Sequence, residues 1–319
     1  MNPVDAVETC LERIRSLDGQ LGAFQVVYED EAMAGAEGAA RACTSGHRIG
    51  PFHGVPFALK DIVDVEGRIT TGGSKTMLER VSPATATIAS RLLAAGGVLL
   101  GKTKTVEVAM GGWGTNTHMG TPHNPWDLDT ARTPGGSSSG SGVSVATGMA
   151  GCAVGTDTGG SVRLPAGWCG IVGLKTTEGL LPTDGIMPLS HTLDTPGPMT
   201  RSVADAVLMF EVMLGRHPLD TERDMSTGDG LFGALSQGVS GLRLGVLNGT
   251  ERVVVDNEIL SLYDAACEEL KSLGAELVTF NGPMAFADMT AATATIIGSE
   301  GYFHHGALYE SEDLPVDPD

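Results

Sequence analysis

Apolar residues at Val4, Val7, Leu11, Ile14 and Leu17 recur every three or four positions, with Asp5, Glu8, Glu12 and Arg15 between them. That spacing predicts an amphipathic helix at the start of the chain. Residues 29–42, rich in Ala and Glu, predict a second helix that stops at the Thr44-Ser45-Gly46 turn. Ile88 to Ala95 predicts a third, ended by Gly96-Gly97, and the apolar run Val98-Leu99-Leu100 that follows fits a short buried strand, as does Val55 to Leu59. The order returns late in the chain, with a strand over Leu242 to Leu247, a helix over Asn257 to Leu273 and a strand over Glu276 to Phe280. Strands alternating with helices predict an α/β fold.

Two stretches depart from this alternation. Between Gly111 and Gly185 the chain is dense in Gly, Ser, Thr and Pro, the composition of a linker. It also carries Val143, Val145, Val154, Leu164, Trp168, Ile171 and Leu174, which a solvated linker does not need. The expectation is therefore a folded, glycine-rich core whose backbone packs closely against something. Glycine overall is abundant, at 45 of 319 residues, in keeping with that reading. From Leu214 to Val239 apolar residues thin out, which predicts a surface excursion or the edge of a subdomain.

Composition narrows the function. With 41% hydrophobic and 18% charged residues the chain can bury a large core, so wholesale disorder is excluded. Twenty Lys and Arg against 39 Asp and Glu leave a net charge of −19, a field that repels nucleic-acid phosphates and anionic lipid headgroups. No nucleic-acid partner is expected. The smoothest stretch, Val143 to Gly155, is short and made of small residues, so no membrane span is expected. Acids at Asp5 and Glu8, without a basic segment and apolar core, argue against a secretory signal and make the cytoplasm the expected location. Five scattered cysteines without a Cys-x-x-Cys pair predict reduced, mostly buried thiols.

The eight histidines form no metal-ligand motif, and no phosphate-loop lysine is present. Neither a metal nor an organic cofactor is expected. The glycine-rich runs are read as lacking the flanking strand and helix that a nucleotide site requires. Gly136-Ser137-Ser138-Ser139-Gly140 fits the Gly-x-Ser-x-Gly elbow of α/β-hydrolases, but the residues before it include Pro134 and form no apolar strand, which counts against an elbow. Three segments taken together carry more weight: Gly54 to Asp61, Pro134 to Ser141, and Gly155 to Pro165. In the first, Lys60 ends an apolar strand, where burial would favour the neutral amine that a general base requires. In the third, Gly159 and Gly160 directly precede Ser161, so unhindered backbone N–H groups can converge beside a serine as in an oxyanion hole.

These segments, with Gly101-Lys102-Thr103, Asn124 to Asp127, Cys169 to Lys175 and Leu193 to Met199, resemble the amidase signature family of serine hydrolases from about Pro51 to Arg201. The resemblance implies a mixed β-sheet core flanked by α-helices, read here as one amidase signature domain over residues 1–319 that lacks the family's usual C-terminal portion. It implies Ser161 as nucleophile, Ser137 as bridging serine after a cis peptide bond, and Lys60 as base. Backbone N–H groups of Thr158, Gly159, Gly160 and Ser161 are implied as the oxyanion hole. Asp157 and Arg163 are expected to hold the nucleophile loop, with Asp61 ambiguous in the same way. Ala109, Met110, Gly111, Gly112 and Trp113 fall where the family places part of its acyl pocket. The implied activity is hydrolysis of a small-molecule, non-peptide carboxylic amide to a carboxylate and ammonia or an amine, and a homodimer is compatible with it. Two alternatives stand beside it: the glutamine-hydrolysing component of a tRNA-dependent amidotransferase, from which residues 180–193 depart, and a non-catalytic member serving in binding or assembly.

Overall fold

Asn2 accepts a hydrogen bond from the N–H of Val4 at 3.1 Å, and Pro3 fills the first helical position, where its missing N–H costs nothing. In the computed structural model, which describes residues 2–215, 231–311 and 314–318, helix α1 accordingly runs over Pro3–Leu21 and stops at left-handed Gly22. Its buried residues include Val7, Leu11 and Ile14, the apolar stripe read from the sequence. Strand β1 (Phe24–Val27), helix α2 (Glu29–Thr44), strand β2 (Pro56–Lys60), helix α3 (Thr87–Ala94) and strand β3 (Val98–Thr103) follow. The expected helices and strands are all present, with bounds that differ by a few residues.

The stretch read as a glycine-rich core supplies helix α4 (Ser139–Ala146), strand β4 (Cys152–Asp157), helix α5 (Arg163–Cys169) and strand β5 (Val172–Gly173). Strand β6 (Thr195–Thr200) and helix α6 (Val203–Met213) complete this part. The six strands form one sheet in the order β1-β3-β2-β4-β6-β5. Its centre, β3-β2-β4, is parallel, while β1, β6 and β5 pair antiparallel, so the sheet is mixed. Every residue of β2, β4 and β6 is buried, as a sheet covered on both faces requires.

Side-chain alternation divides the core. Phe57 and Leu59 of β2 and Val154 of β4 pack with Ile88, Leu92 and Met209 on one face. Ala58 and Ala153 pack with Val7, Leu11, Val143 and Val145 on the other. Close backbone contact explains the glycines: a Cβ on Gly136 would lie 2.6 Å from the Gly114 nitrogen.

One expectation fails here. The run Thr158 to Ser161 does have a strand before it, β4, and a helix after it, α5. The sequence concealed both, because β4 (Cys-Ala-Val-Gly-Thr-Asp) is short and poor in large apolar residues, and α5 contains Pro165 and Gly167. Similarly, α4 directly follows Gly136 to Ser138.

The chain divides into two units, one of residues 1–222 and 297–319 and one of residues 223–296. The second holds helix α7 (Leu231–Leu235), strand β7 (Arg243–Leu247), helix α8 (Gly249–Arg252), helix α9 (Asn257–Ser272) and strand β8 (Glu276–Phe280). The expected order of strand, helix α9 and strand is present, and β7 and β8 pair in parallel. Helix α10 (Phe286–Tyr309), which the sequence pattern did not reveal, begins in this unit, and its residues from 297 onward belong to the first. Most of the expected excursion at 214–239 lies outside the described residues.

Candidate active site

Lys60 is the last residue of β2 and Asp157 the last of β4, so the candidate residues gather at the carboxyl ends of the central parallel strands. There the strand backbone is exhausted and loops can bring in functional groups. Lys60 has no solvent exposure. Its Nζ donates to Ser137 Oγ at 2.7 Å and to Thr156 Oγ1 at 2.9 Å. Both partners are neutral hydroxyls. Burial therefore lowers the amine from its usual 10.5 to about 7, with Asp194 and Asp157 opposing the shift from farther away.

Ser137 is fully buried and follows a cis peptide bond from Gly136, the arrangement implied by the family resemblance. The loop is anchored on both sides, since Gly136 N donates to Gly112 O at 2.8 Å and Val106 N donates to Ser137 O at 3.3 Å. The neighbouring serines are otherwise engaged. Ser138 Oγ donates to Thr156 O and accepts from Thr156 N, both at 3.2 Å, and Ser139 Oγ donates to Lys104 O at 3.5 Å.

Ser161 lies on the loop between β4 and α5 and is 9% exposed. Ser138 N donates to its carbonyl at 3.2 Å, which ties the two serine loops together. Among the described residues its hydroxyl makes no hydrogen bond, and the N–H groups of Thr158, Gly159, Gly160 and Ser161 donate to none. Among the described residues these four successive donors are therefore unpaired.

The loop is held by two carboxylates. Asp157, fully buried, accepts from Arg163 Nε at 3.0 Å and Nη2 at 2.9 Å, and from Val162 N at 3.1 Å. Burial alone would raise its carboxyl, but these donors hold it below the usual carboxylate range. Asp194 accepts from Thr158 Oγ1 at 2.5 Å and from the N–H groups of Leu189 and Ser190. Sequence reasoning singled out Asp157 and Arg163 but gave Asp194 no role; its signal was its place in Leu193 to Met199. Asp61 turns away to Thr71 and Lys102. Ala109 is buried, Met110 is half-exposed on a cavity wall, and Trp113 is 66% exposed against Trp168 at 5.5 Å between ring centroids.

The amidase family model matches residues 5–309. The chain belongs to the amidase family. It is 40% identical over 283 residues to the A-type subunit of the glutamyl-tRNA(Gln) amidotransferase of Anaeromyxobacter dehalogenans, covering 89% of this chain and 57% of that one. The chain therefore spans little more than half the length of that relative. Among solved structures, the amidase-family fold matches the peptide amidase of Stenotrophomonas maltophilia with a TM-score of 0.81 at 31% identity, over 99% of this chain and 66% of that one. A protein from a vestigial complex, described as revealing the evolutionary origins of an s-triazine catabolic enzyme, matches with a TM-score of 0.89 at 35% identity, over 100% and 68%. No helix among the described residues is long and apolar enough to cross a membrane.

Proposed function

We propose that this amidase-family chain hydrolyses a small carboxylic amide through an acyl-enzyme on Ser161, and that both units are parts of one amidase signature domain. The observation that carries the reading is the buried Lys60 amine, near neutrality and 2.7 Å from Ser137. The neutral amine takes the Ser137 proton as Ser137 takes that of Ser161, and Ser161 Oγ bonds to the amide carbon. The N–H groups of residues 158–161 receive the oxyanion. As the C–N bond breaks, Ser137 gives a proton to the leaving nitrogen and is resupplied by the Lys60 ammonium. Water, deprotonated through the same relay, then cleaves the ester to release the carboxylate and restore Ser161. The reading needs neither metal nor organic cofactor.

Intact-mass analysis after treatment with a fluorophosphonate tests it. One adduct on the wild-type chain, lost in Ser161→Ala and strongly slowed in Lys60→Ala, is expected; no adduct on folded wild-type protein defeats the reading. The 40% identity to an amidotransferase component favours a second, finer reading, in which the amide is that of glutamine and partner proteins take part. Ammonia release from glutamine that requires those added partners is its mark.

A further inference from the structure

Asp194 reaches the nucleophile loop from residues 188–194, a turn with no strand or helix of its own. Within the turn, the N–H groups of Leu189 and Ser190 donate to Asp194 Oδ2 at 2.8 and 3.0 Å, and Asp194 N donates to Ser190 O at 2.9 Å. Strand β6 begins at Thr195 and holds the Asp194 backbone on that side, so the turn decides where the carboxylate points. Hydrogen bonds that leave the turn run to Thr158 on one side and, on the other, to the part of α10 that belongs to the first unit. Glu300 takes three of them. Its Oε2 accepts from Ser190 Oγ at 2.5 Å and from Thr192 N at 3.1 Å, and its Oε1 accepts from Thr192 Oγ1 at 2.8 Å. His305 Nε2 adds a fourth, donating to Pro188 O at 2.7 Å. The donors to Glu300, led by Ser190, hold its carboxyl down at about 2, so it is a carboxylate at neutral pH.

The loop that Asp194 meets has little order of its own. Thr158 to Ser161 contains two successive glycines, and Gly160 has a φ of 142°, so local preference does little to aim its N–H groups. Its two ends are held differently. Asp157, which takes Val162 N and the Arg163 side chain, stands on a strand already fixed by the sheet. Thr158 depends instead on Asp194, whose turn is fixed from α10. Oxyanion donors stabilise charge only when they are aimed before the reaction begins, so what anchors them bears on the rate. We propose that Glu300 is a positioning residue for these donors: it fixes the 188–194 turn, the turn aims Asp194, and Asp194 fixes Thr158. The catalytic part of this inference rests on the amidase reading above. The hold on the turn does not.

Fluorophosphonate labelling of the full chain over a range of probe concentrations gives the maximal rate and the half-saturating concentration separately. Glu300→Ala is expected to lower the maximal rate at least tenfold and to leave the half-saturating concentration within about threefold of wild type, because these donors act on charge that develops in the transition state. Glu300→Gln keeps an oxygen for Ser190 and Thr192 N and can donate to the Thr192 hydroxyl, so it should stay within about threefold of wild type. An unchanged maximal rate in a folded Glu300→Ala, or an equal loss in Glu300→Gln, overturns the proposal. Thr158→Val removes the last link and keeps the backbone N–H. In that background Glu300→Ala should cost less than about threefold more, and a repeated tenfold loss refutes the route through Thr158. Should Glu300→Ala fail to melt cooperatively, Ser190→Ala combined with Thr192→Val, which removes two of the three bonds from the turn's side, is read in its place. Deuterium exchange reads the hold on the turn without the reaction. The amides of residues 188–194 should exchange at least tenfold faster in Glu300→Ala, with α1 unchanged; equal exchange overturns the proposal. No adduct on folded wild-type protein, with that faster exchange observed, sinks the amidase reading and leaves Glu300 as the residue that holds the turn.

Discussion

Two lysines lie fully buried on adjacent parallel strands, and they differ in what surrounds the charge. Lys60 ends β2, and Lys102 on β3 stands in register with Leu59, so alternation sends the two amines to opposite faces of the sheet. Among the described residues Lys60 hydrogen-bonds only to hydroxyls. Lys102 lies 3.6 Å from Asp61 and donates to Thr70. Burial lowers the pKa of both amines, but for Lys102 Asp61 in contact opposes the shift, and for Lys60 only the more distant Asp194 and Asp157 do. An amine buried without a counter-ion in contact is a base; one buried with a carboxylate is an ion pair that holds the sheet.

The sharpest way to break this comparison is to make the same substitution at both. Lys60→Met should lower fluorophosphonate labelling by on the order of 10³-fold, as loss of a positioned general base does, measured by timed intact-mass spectra. Lys102→Met should lower it far less; equal losses would erase the distinction.

Stability should separate the lysines in the opposite direction. Lys102→Met leaves Asp61 buried without its partner and should cost about 3 kcal/mol or more in urea denaturation. Lys60→Met should be neutral or stabilising at pH 7. The unfolded lysine holds its proton up to 10.5 and the folded one only to about 7, so the native amine loses stability as pH falls through that window. Substitution removes that loss, and the advantage of Lys60→Met should shrink between pH 7 and 10.

The pH dependence of labelling follows the same sign. Below about 7 Lys60 is an ammonium and cannot accept a proton. The rate should rise about tenfold per pH unit up to that point and level off above it. A profile flat from pH 5 to 8 would remove Lys60 from the role of base.

Arg163→Ala should give the smallest effect. The Arg163 side chain is 53% exposed, and Asp157 retains the Val162 and Arg163 N–H groups. A loss of about 1 kcal/mol and a labelling rate within tenfold of wild type are expected.

Much of the frame could be read from local pattern. The three- and four-residue spacing of α1, the Ala-rich α2, the Gly96-Gly97 stop after α3 and the strand–helix–strand of β7, α9 and β8 each depend on one face of one element being buried. The elements that escaped were β1, β4, β5, β6, α4 to α8 and α10. In β4, α5 and β6, small residues and prolines replace the usual periodic signal, because close packing of backbone selects those residues instead. The choice of Ser137 came from the family resemblance alone, since Ser137, Ser138 and Ser139 are chemically alike and differ in the partners that the fold gives them.

The sequence by itself determined the α/β alternation, the acidic balance, the glycines that allow close backbone approach, and a lysine at the end of an apolar strand. Those properties are local, because each follows from neighbouring residues and their tendency to be buried. The tertiary structure decided what is long-range. It placed Lys60 against Ser137, 77 positions away, left Lys60 without the counter-ion that Lys102 has, and brought Asp317 to Glu107 across 210 positions. Desolvation and charge pairing depend on which strands and loops become neighbours, and strand order is settled by the packing of the whole sheet.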